Sequence, residues 1–361
     1  MLNLENGYPA PNRHGLGWNF DSCGSEPFWT VNPDVEVIQR TAEKYLGQPI
    51  ELEFLGGGLY NKAYAVSVDG VSKFVFRVAL PVHPHYKTAS EVATLEFIGN
   101  HTRIPVPRVY YYDSTSENDL HFEWILMDLV KGVRLAEVWN DMGIERMSDS
   151  VTEVATLLNQ LRELRFSHIG SLYRRDDLPG EEGMKDAVFI PLDEKFRMYE
   201  RAHYEILPEI FPKDPPDSEM ENGTQFRLYH PDLHENNIFI DPETFTVTGI
   251  IDWESVATIP GWMDHYPKYL DGIDVDDEQP TLTVGELSDE WLDWALMQLR
   301  RVHDEASGRS NANSPGDVLK FKFKDYFDMI FRKGEYATCL FEEILQRKRA
   351  SGCPHTQGPP T

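Results

Sequence analysis

The stretch FRLYHPDLHENNIFIDPETFTVTGIIDWE, residues 226–254, decides the fold of this chain. It contains two apolar runs, 237–240 and 247–252, which an Asp-Pro turn separates. Two short apolar runs joined by such a turn predict a β-hairpin. A polar segment from His230 onward precedes the first strand, and Asp252 ends the second. The pattern therefore predicts a polar loop beside a hairpin, with an acidic residue at the hairpin's end.

Three polar residues of this unit have the spacing that phosphoryl transfer requires. Asp232 lies in the loop, Asn237 follows it, and Asp252 ends the buried strand. In phosphoryl transfer one carboxylate accepts the proton of the substrate hydroxyl, while an amide oxygen and a second carboxylate hold the metal ion. Each residue alone is also explained as a turn residue, a strand-edge residue or a helix cap. Together they predict a kinase with Asp232 as base and with Asn237 and Asp252 as metal ligands.

The motif HPDLHENN…IIDWE resembles the catalytic core of the aminoglycoside phosphotransferase and choline kinase family, whose pattern is H-x-D-L-H-x-x-N followed by I-D-W/F. LGGGLYNKAYAV, FRVALP, IPVPRVYYYD and ILMDLVKGVRL are similar to the fungal branch of that family. The resemblance covers approximately residues 50–267. It implies a protein-kinase-like fold, ATP and Mg²⁺ as cofactors, and a small molecule as acceptor. His234 would approach the transferred phosphoryl group, and His230 would orient the loop.

A glycine-rich loop separates the first two predicted strands of residues 50–68. Its G-x-G-x-x-G pattern is incomplete because Asn61 takes the place of the last glycine, as the resemblance also allows. Glycines let backbone N–H groups approach phosphates closely, so the loop is expected to cover the phosphates of ATP. The nucleotide-binding residues expected here are Gly56, Gly57, Gly58 and Asn61.

Arg77 shares a strand face with Val75, where protein kinases carry the lysine that reaches the α- and β-phosphates. The alternative is a strand arginine paired with a surface acid. The expected partner of Arg77 is Glu91, in a helix predicted over 88–100. Thr88 and Glu91 also match a capping box, which would turn Glu91 toward its own helix N-terminus. We favour the Arg77–Glu91 ion pair.

The apolar segment 121–130 predicts a central strand followed by a hinge. The backbone of Asp128 and Val130 would then hydrogen-bond adenine. The predicted fold is α+β and bilobal, like that of protein kinases, with an antiparallel-sheet N-lobe and a mostly helical C-lobe. Its predicted parts are an irregular arm pinned by aromatic residues (1–33), the N-lobe with one helix (34–130), the C-lobe (131–349, helical over 133–166) and a disordered tail (350–361).

The composition is that of a folded, strongly acidic protein. Of 361 residues 41% are hydrophobic, and the formal net charge is −26. Nucleic acids and anionic membranes attract clusters of Lys and Arg, so neither is an expected partner. Three distant cysteines imply no disulfide framework, and residues 1–15 lack a signal-peptide or transit-peptide pattern. A cytosolic location is therefore expected, while the oligomeric state stays open.

The segment after the predicted metal ligand is aromatic and acidic, which suits a cationic acceptor that carries a hydroxyl group. A solvated acidic loop without contacts is the alternative. The residues concerned are Trp262, Asp264, Tyr266, Tyr269 and 271–278.

Two other functions compete with a small-molecule kinase. A protein kinase is disfavoured because His230-Pro-Asp232 and Asp252-Trp-Glu254 replace the HRD and DFG motifs, and no Ala-Pro-Glu motif follows. A pseudokinase that binds nucleotide or acts as a scaffold is favoured by Arg77 in place of lysine. The retention of both acids and of Asn237 opposes it.

Overall fold

The computed structural model describes residues 13–21, 24–166, 170–177, 226–260, 266–271 and 289–308. The predictions for residues 1–12 and for the tail at 350–361 lie outside these ranges. So do Trp262, Asp264 and 272–278 of the segment predicted to bind the acceptor.

The N-lobe is built on a five-stranded antiparallel sheet, as predicted. The elements of this part are β1 (Leu16–Asp21), β2 (Gly24–Trp29), α1 (Val35–Leu46), β3 (Glu51–Gly57), β4 (Asn61–Val68), β5 (Val71–Ala79), α2 (Tyr86–His101), β6 (Val109–Asp113) and β7 (Glu123–Asp128). The strand order of the sheet is β3-β4-β5-β7-β6, so β5, the strand that carries Arg77, lies in the middle.

The two faces of β5 pack into different cores, because side chains alternate along a strand. Phe76 and Val78 are fully buried on the side of α1. Val75 lies in the core on the side of α2, which continues into the C-lobe. Arg77 shares the face of Val75, as the alternation predicts, and is thereby directed toward α2 and the cleft between the lobes.

The C-lobe combines helices with short strands. Its elements are β8 (Val133–Arg134), α3 (Leu135–Val138), α4 (Ile144–Glu163), β9 (Phe226–Tyr229), β10 (Ile238–Ile240), β11 (Val247–Ile250), β12 (Ala257–Pro260) and α5 (Asp289–Ser307). The predicted hairpin is confirmed, since Ile238 pairs with Ile250 in an antiparallel register. Among the described residues, no helix has both the length and the apolar character needed to cross a membrane.

The helix predicted from residue 133 onward is wrong at its start, where Val133 and Arg134 form a strand. Gly132, with φ of 105°, turns the chain into a conformation that favours glycine. A Cβ there would lie 2.2 Å from the carbonyl oxygen of Ile240. This close approach pairs β8 with β10, so long-range pairing overrides the local helical pattern.

The irregular conformation predicted for the N-terminal arm is also wrong, because β1 and β2 form an antiparallel hairpin. The arm is rich in Gly, Pro and Asn, but its aromatic residues favour strands. Its attachment by aromatic residues is confirmed. The ring of Trp29 lies 5.4 Å from that of Phe122, and Arg13 Nη1 donates a hydrogen bond to the carbonyl of Pro81 at 2.8 Å.

Candidate active site

His230 anchors the polar loop before the hairpin. Its Nδ1 accepts a hydrogen bond from the Asp232 N–H at 3.3 Å, and its Nε2 lies 3.2 Å from the carbonyl oxygen of Ile251. Nε2 therefore carries the proton of a neutral ring. Burial lowers the pKa of His230 to about 4, which also keeps the ring neutral. The ring joins the two halves of the unit, as expected of an orienting residue.

Asp232 and Asn237 are held in one loop. Asn237 is buried, and its Nδ2 donates to the carbonyl oxygen of Asp232 at 2.8 Å. His234 Nε2 lies 3.7 Å from Asp232 Oδ2, so this histidine is beside the predicted base. Lys268 Nζ, which the sequence analysis did not single out, donates to Asp232 Oδ1. The predicted base thus lies between a histidine and a lysine.

Asp252 follows β11 in an unusual backbone conformation. Its φ is 63°, a left-handed value that costs free energy in a residue other than glycine. Trp253 secures this turn, because its Nε1 donates to the carbonyl of Ile250 at 2.8 Å and its ring lies 4.8 Å from that of His230. Burial, and then the charge of Glu254, raise the pKa of Asp252 to about 7.

The expected ion pair between Arg77 and Glu91 is present and buried. Arg77 Nη1 also lies 3.9 Å from Asp252 Oδ1. The capping-box alternative is wrong, because α2 begins at Tyr86, before Thr88, and no side chain caps it. The Nε of Arg77 is buried and has no hydrogen-bond partner among the described residues. The guanidinium therefore keeps one donor for a further acceptor.

A second ion pair, partly buried and absent from the sequence analysis, joins the lobes. Lys87 of α2 lies 2.6 Å from the carboxylate of Glu254. Asn61 closes a triangle, donating to Glu254 at 2.8 Å and accepting from Lys87 at 2.8 Å. Burial would raise the pKa of Glu254, but the charges of Lys87 and Arg77 lower it overall. We call Asn61, Lys87 and Glu254 the interlobe triangle.

The interlobe triangle left weak signals in the sequence. Lys87 lies four residues before Glu91 and hence on the same helix face. Glu254 belongs to the motif IIDWE, but only its first acid was given a role. The side chain of Asn61, a residue predicted to bind nucleotide, fixes the glycine-rich loop to the C-lobe.

The glycine-rich loop is open on the side of Gly56 and Gly58. A Cβ at either residue would meet no atom of the described residues within 4 Å. Gly57 pairs with Lys62, and Gly58 N–H donates to the carbonyl of Asn61 at 2.9 Å. Among the described residues, the backbone at Gly56 and at Gly58 therefore borders free space that a ligand can approach.

The two residues predicted to bind adenine at the hinge, Asp128 and Val130, make different contacts. The Asp128 carboxylate accepts hydrogen bonds from the Arg108 N–H at 3.1 Å and the Tyr110 hydroxyl at 2.9 Å. These bonds connect the end of β7 to β6, so the carboxylate stabilises the sheet. Val130 packs against Gly249. A cavity of about 670 Å³ adjoins the hinge, away from Arg77 and the catalytic loop. It is lined by 71–73, 106–107, 128–131 and Thr248.

The donor set fits a hard divalent cation and a phosphate. The Asp252 side chain is 28% exposed, and carboxylate oxygens are ligands that suit Mg²⁺. The amide oxygen of Asn237 accepts no hydrogen bond from the described residues. The unpaired Nε of Arg77 provides a buried donor for an anion.

Of the described aromatic residues predicted to face an acceptor, Tyr269 is buried in the C-lobe and Tyr266 is partly buried. The Tyr266 hydroxyl donates to Asp304 at 2.6 Å. Tyr269 is 6% exposed, and its ring lies 5.7 Å from that of Trp139. The buried ring of Tyr269 therefore does not supply the open aromatic face that the predicted cationic acceptor requires.

Comparison with known proteins gives consistent results for the family. The model of the phosphotransferase enzyme family (APH) matches residues 51–265. A candidate aminoglycoside phosphotransferase from Ralstonia eutropha has a similar fold, with a TM-score of 0.52, 14% identity and coverage of 83% of this chain and 86% of the other. The streptomycin–ATP–APH(2")-IIa complex has a TM-score of 0.50, 16% identity and coverage of 84% and 89%.

Curated relatives match only a part of this chain. A subtelomeric hrmA-associated cluster protein of Aspergillus fumigatus is 34% identical over 126 residues, 34% of this chain and 25% of the relative. Altered inheritance of mitochondria protein 9, mitochondrial, of Clavispora lusitaniae is 28% identical over 189 residues, 48% of this chain and 30% of the relative. The chain thus spans less than a third of the length of these relatives.

The mitochondrial name of one group of relatives contradicts the cytosolic location expected from the sequence, which is therefore wrong. That expectation rested on a cysteine count and on the composition of a short segment. Neither property specifies a compartment.

Proposed function

Because the chain belongs to the phosphotransferase enzyme family, we propose that it transfers the γ-phosphoryl group of ATP to a hydroxyl group of a small molecule. One observation carries this proposal. Hydrogen bonds of His230 and Asn237 with Ile251 join the Asp232 loop to the Asp252 turn, and this unit meets the buried Arg77–Glu91 pair across the lobes. A fold neighbour solved with both streptomycin and ATP supports the choice of nucleotide and of acceptor class.

The proposed reaction assigns a task to each part of the site. When bound, Mg²⁺-ATP supplies the phosphoryl group and the cation that neutralises its oxygens. Asp232 accepts the proton of the acceptor hydroxyl. His234 lies close enough to Asp232 to donate a hydrogen bond to the transferred phosphoryl group. Asn237 and Asp252 hold the metal ion. The remaining nucleotide contacts come from Arg77 oriented by Glu91, the backbone of Gly56, Gly57 and Gly58 fixed by Asn61, and the hinge backbone at Asp128 and Val130.

A screen tests this function directly. The full chain is incubated with Mg²⁺-ATP and a panel of neutral, cationic and anionic hydroxyl compounds, including aminoglycosides, amino alcohols and sugars, and the release of ADP is measured. We expect acceptor-dependent turnover that Asp232→Asn lowers by about 10²- to 10⁴-fold. Asp119→Asn, a change at an exposed loop aspartate, is the matched control and should leave turnover intact.

The rival functions give different results in the same screen. Mg²⁺-ATP binding without any turnover would indicate a pseudokinase, and phosphorylation of proteins but not of small molecules would indicate a protein kinase. A chain that binds no nucleotide would refute the proposal.

We also propose a mitochondrial location, supported by the name of the relatives that match this chain. Fractionation of cells that express the full-length protein tests it. We expect the protein to co-sediment with a mitochondrial matrix or membrane marker. Recovery with the cytosolic marker alone would refute it.

A further inference from the structure

Lys268 is the described cation nearest to the reacting end of the site. Its ammonium group hydrogen-bonds to Oδ1 of Asp232, 36 residues earlier in the chain. Both side chains are open to solvent, with exposed fractions of 52% for Lys268 and 41% for Asp232. An exposed pair of this kind contributes little to stability, so stability alone does not explain its position.

The backbone of Lys268 is fixed although its side chain is exposed. Lys268 begins a 3-10 turn with Tyr269 and Leu270, and both of these residues are buried. Arg300 Nη1 donates to the carbonyl oxygen of Leu270 at 3.2 Å. The core therefore holds the Lys268 Cα in place, while the flexible side chain reaches from this base toward Asp232.

The other cations of the site have different partners. Arg77 is paired with the buried Glu91, and Lys87 with the partly buried Glu254. Lys268 is paired with the predicted base itself. A phosphoryl group in transfer spreads negative charge over three oxygens next to this base, and catalysis depends on neutralising that charge.

We propose that Lys268 is a catalytic residue that contacts the transferring phosphoryl group, an inference that rests on the proposed function. The acceptor oxygen forms a bond to the γ-phosphorus while the bond from this phosphorus to the β,γ-bridging oxygen breaks. The hydroxyl proton passes to Asp232. Lys268 moves one N–H donor from Asp232 to a phosphoryl oxygen and keeps its own proton throughout.

The test uses a mimic of the transferring group. Affinity for Mg²⁺-ADP is measured by calorimetry with and without aluminium fluoride, which occupies the place of the phosphoryl group. The variants are Lys268→Met, Lys268→Arg and, as the matched control, Lys44→Met on the exposed surface of α1. Melting curves establish that each variant is folded, and Lys268→Gln replaces Lys268→Met if the latter is not.

We expect aluminium fluoride to tighten Mg²⁺-ADP binding in the wild type and in Lys44→Met. In Lys268→Met the gain in affinity from aluminium fluoride should be roughly 10- to 100-fold smaller, which is the effect of losing one charge-assisted hydrogen bond. The affinity of this variant for Mg²⁺-ADP alone should be unchanged. Lys268→Arg should restore part of the gain.

Two results would overturn the role of Lys268 while leaving the proposed function standing. One is a full fluoride-dependent gain in Lys268→Met, and the other is Mg²⁺-ADP binding by the wild type without any gain. Absence of Mg²⁺-ADP binding by the wild type would instead refute the proposed function.

Discussion

The nucleotide side and the catalytic side of the site hold their charges in different environments. The side chains of Arg77 and Glu91 are 9% and 1% exposed, whereas those of Lys268 and Asp232 are 52% and 41% exposed. Breaking a buried pair leaves an uncompensated charge, while an exposed pair exchanges partners at little cost. The nucleotide side is therefore fixed in advance, and the catalytic side is free to accept a new partner.

The interlobe triangle extends the fixed region across the cleft. Lys87 and Glu254 have side chains that are 9% and 12% exposed, and Asn61 ties them to the glycine-rich loop. The loop that covers the proposed phosphate site is thus attached to the residue two positions after Asp252. In the proposed enzyme, the placement of the loop and of the metal ligand depend on each other.

The largest effect is expected on the exposed side, from Asp232→Asn. General-base catalysis contributes on the order of 10²- to 10⁴-fold, so turnover with an accepted substrate should fall by that factor. Mg²⁺-ATP affinity, measured by calorimetry, should stay within about threefold, because the base acts on the acceptor. Equal losses of affinity and of turnover would show that Asp232 is structural.

On the buried side, Arg77→Met should act on stability first. It leaves Glu91 charged and buried, which costs about 3–5 kcal/mol in the free energy of unfolding. Urea denaturation measures this cost. Lys268→Met, which breaks the exposed pair, is the matched control and should cost at most about 1 kcal/mol. Arg77→Lys should keep part of both stability and nucleotide affinity.

The double variant Arg77→Met with Glu91→Leu separates the two roles of Arg77. Removal of both charges should recover much of the stability, because no unpaired buried charge remains. Nucleotide affinity should stay low, since the phosphate-binding guanidinium is gone. If Arg77→Met alone is as stable as the wild type, the contrast between the two sides does not hold.

Local pattern predicted the parts of the site that lie close together in sequence. The hairpin around 238–250 and the shared face of Val75 and Arg77 follow from alternation alone. The ion pair to Glu91 required the family resemblance, because spacing also allowed a capping box. Prediction failed at Val133, where pairing with a strand over a hundred residues later overrides the local helical pattern.

Lys87, Glu254 and Lys268 were missed for a related reason. The contact between Lys268 and Asp232 spans 36 residues, and Glu254 meets Asn61 across 193 residues. No periodicity encodes such contacts. A lysine or glutamate in one sequence is indistinguishable from a solvated surface charge until the fold places it, and this chain has 34 basic and 60 acidic residues.

His230 makes the stability of the folded chain depend on pH. Burial lowers the pKa of His230 to about 4 from the ordinary 6.5, a difference of about 3 kcal/mol. Between about pH 4 and pH 6.5 the unfolded chain binds a proton at His230 and the folded chain does not, so this stability is complete only above pH 6.5. It should be lost progressively as the pH falls from about 6.5 to about 4.

Urea denaturation between pH 4 and 7.5 tests this dependence, with the difference between wild type and His230→Gln as the readout. The wild type should lose more stability than the variant as the pH falls through this range, because glutamine does not titrate. His101→Gln, at an exposed position, is the matched control and should follow the wild type. Parallel curves for wild type and His230→Gln would show that another group causes the loss.

The smallest effect is expected from the interlobe triangle, and a double-mutant cycle measures it. Lys87→Met, Glu254→Gln and their combination are compared in Mg²⁺-ATP affinity and in unfolding free energy. Groups in one network couple by about 0.5–3 kcal/mol, so the effects of the single changes should not add.

The matched cycle uses Arg174 and Glu96, whose side chains are 36% and 35% exposed. This pair should couple by at most about 1 kcal/mol. Coupling in nucleotide affinity at the triangle, and none at the control pair, would show that the glycine-rich loop and the metal-binding turn act together. Coupling in stability alone would reduce the triangle to a structural contact between the lobes.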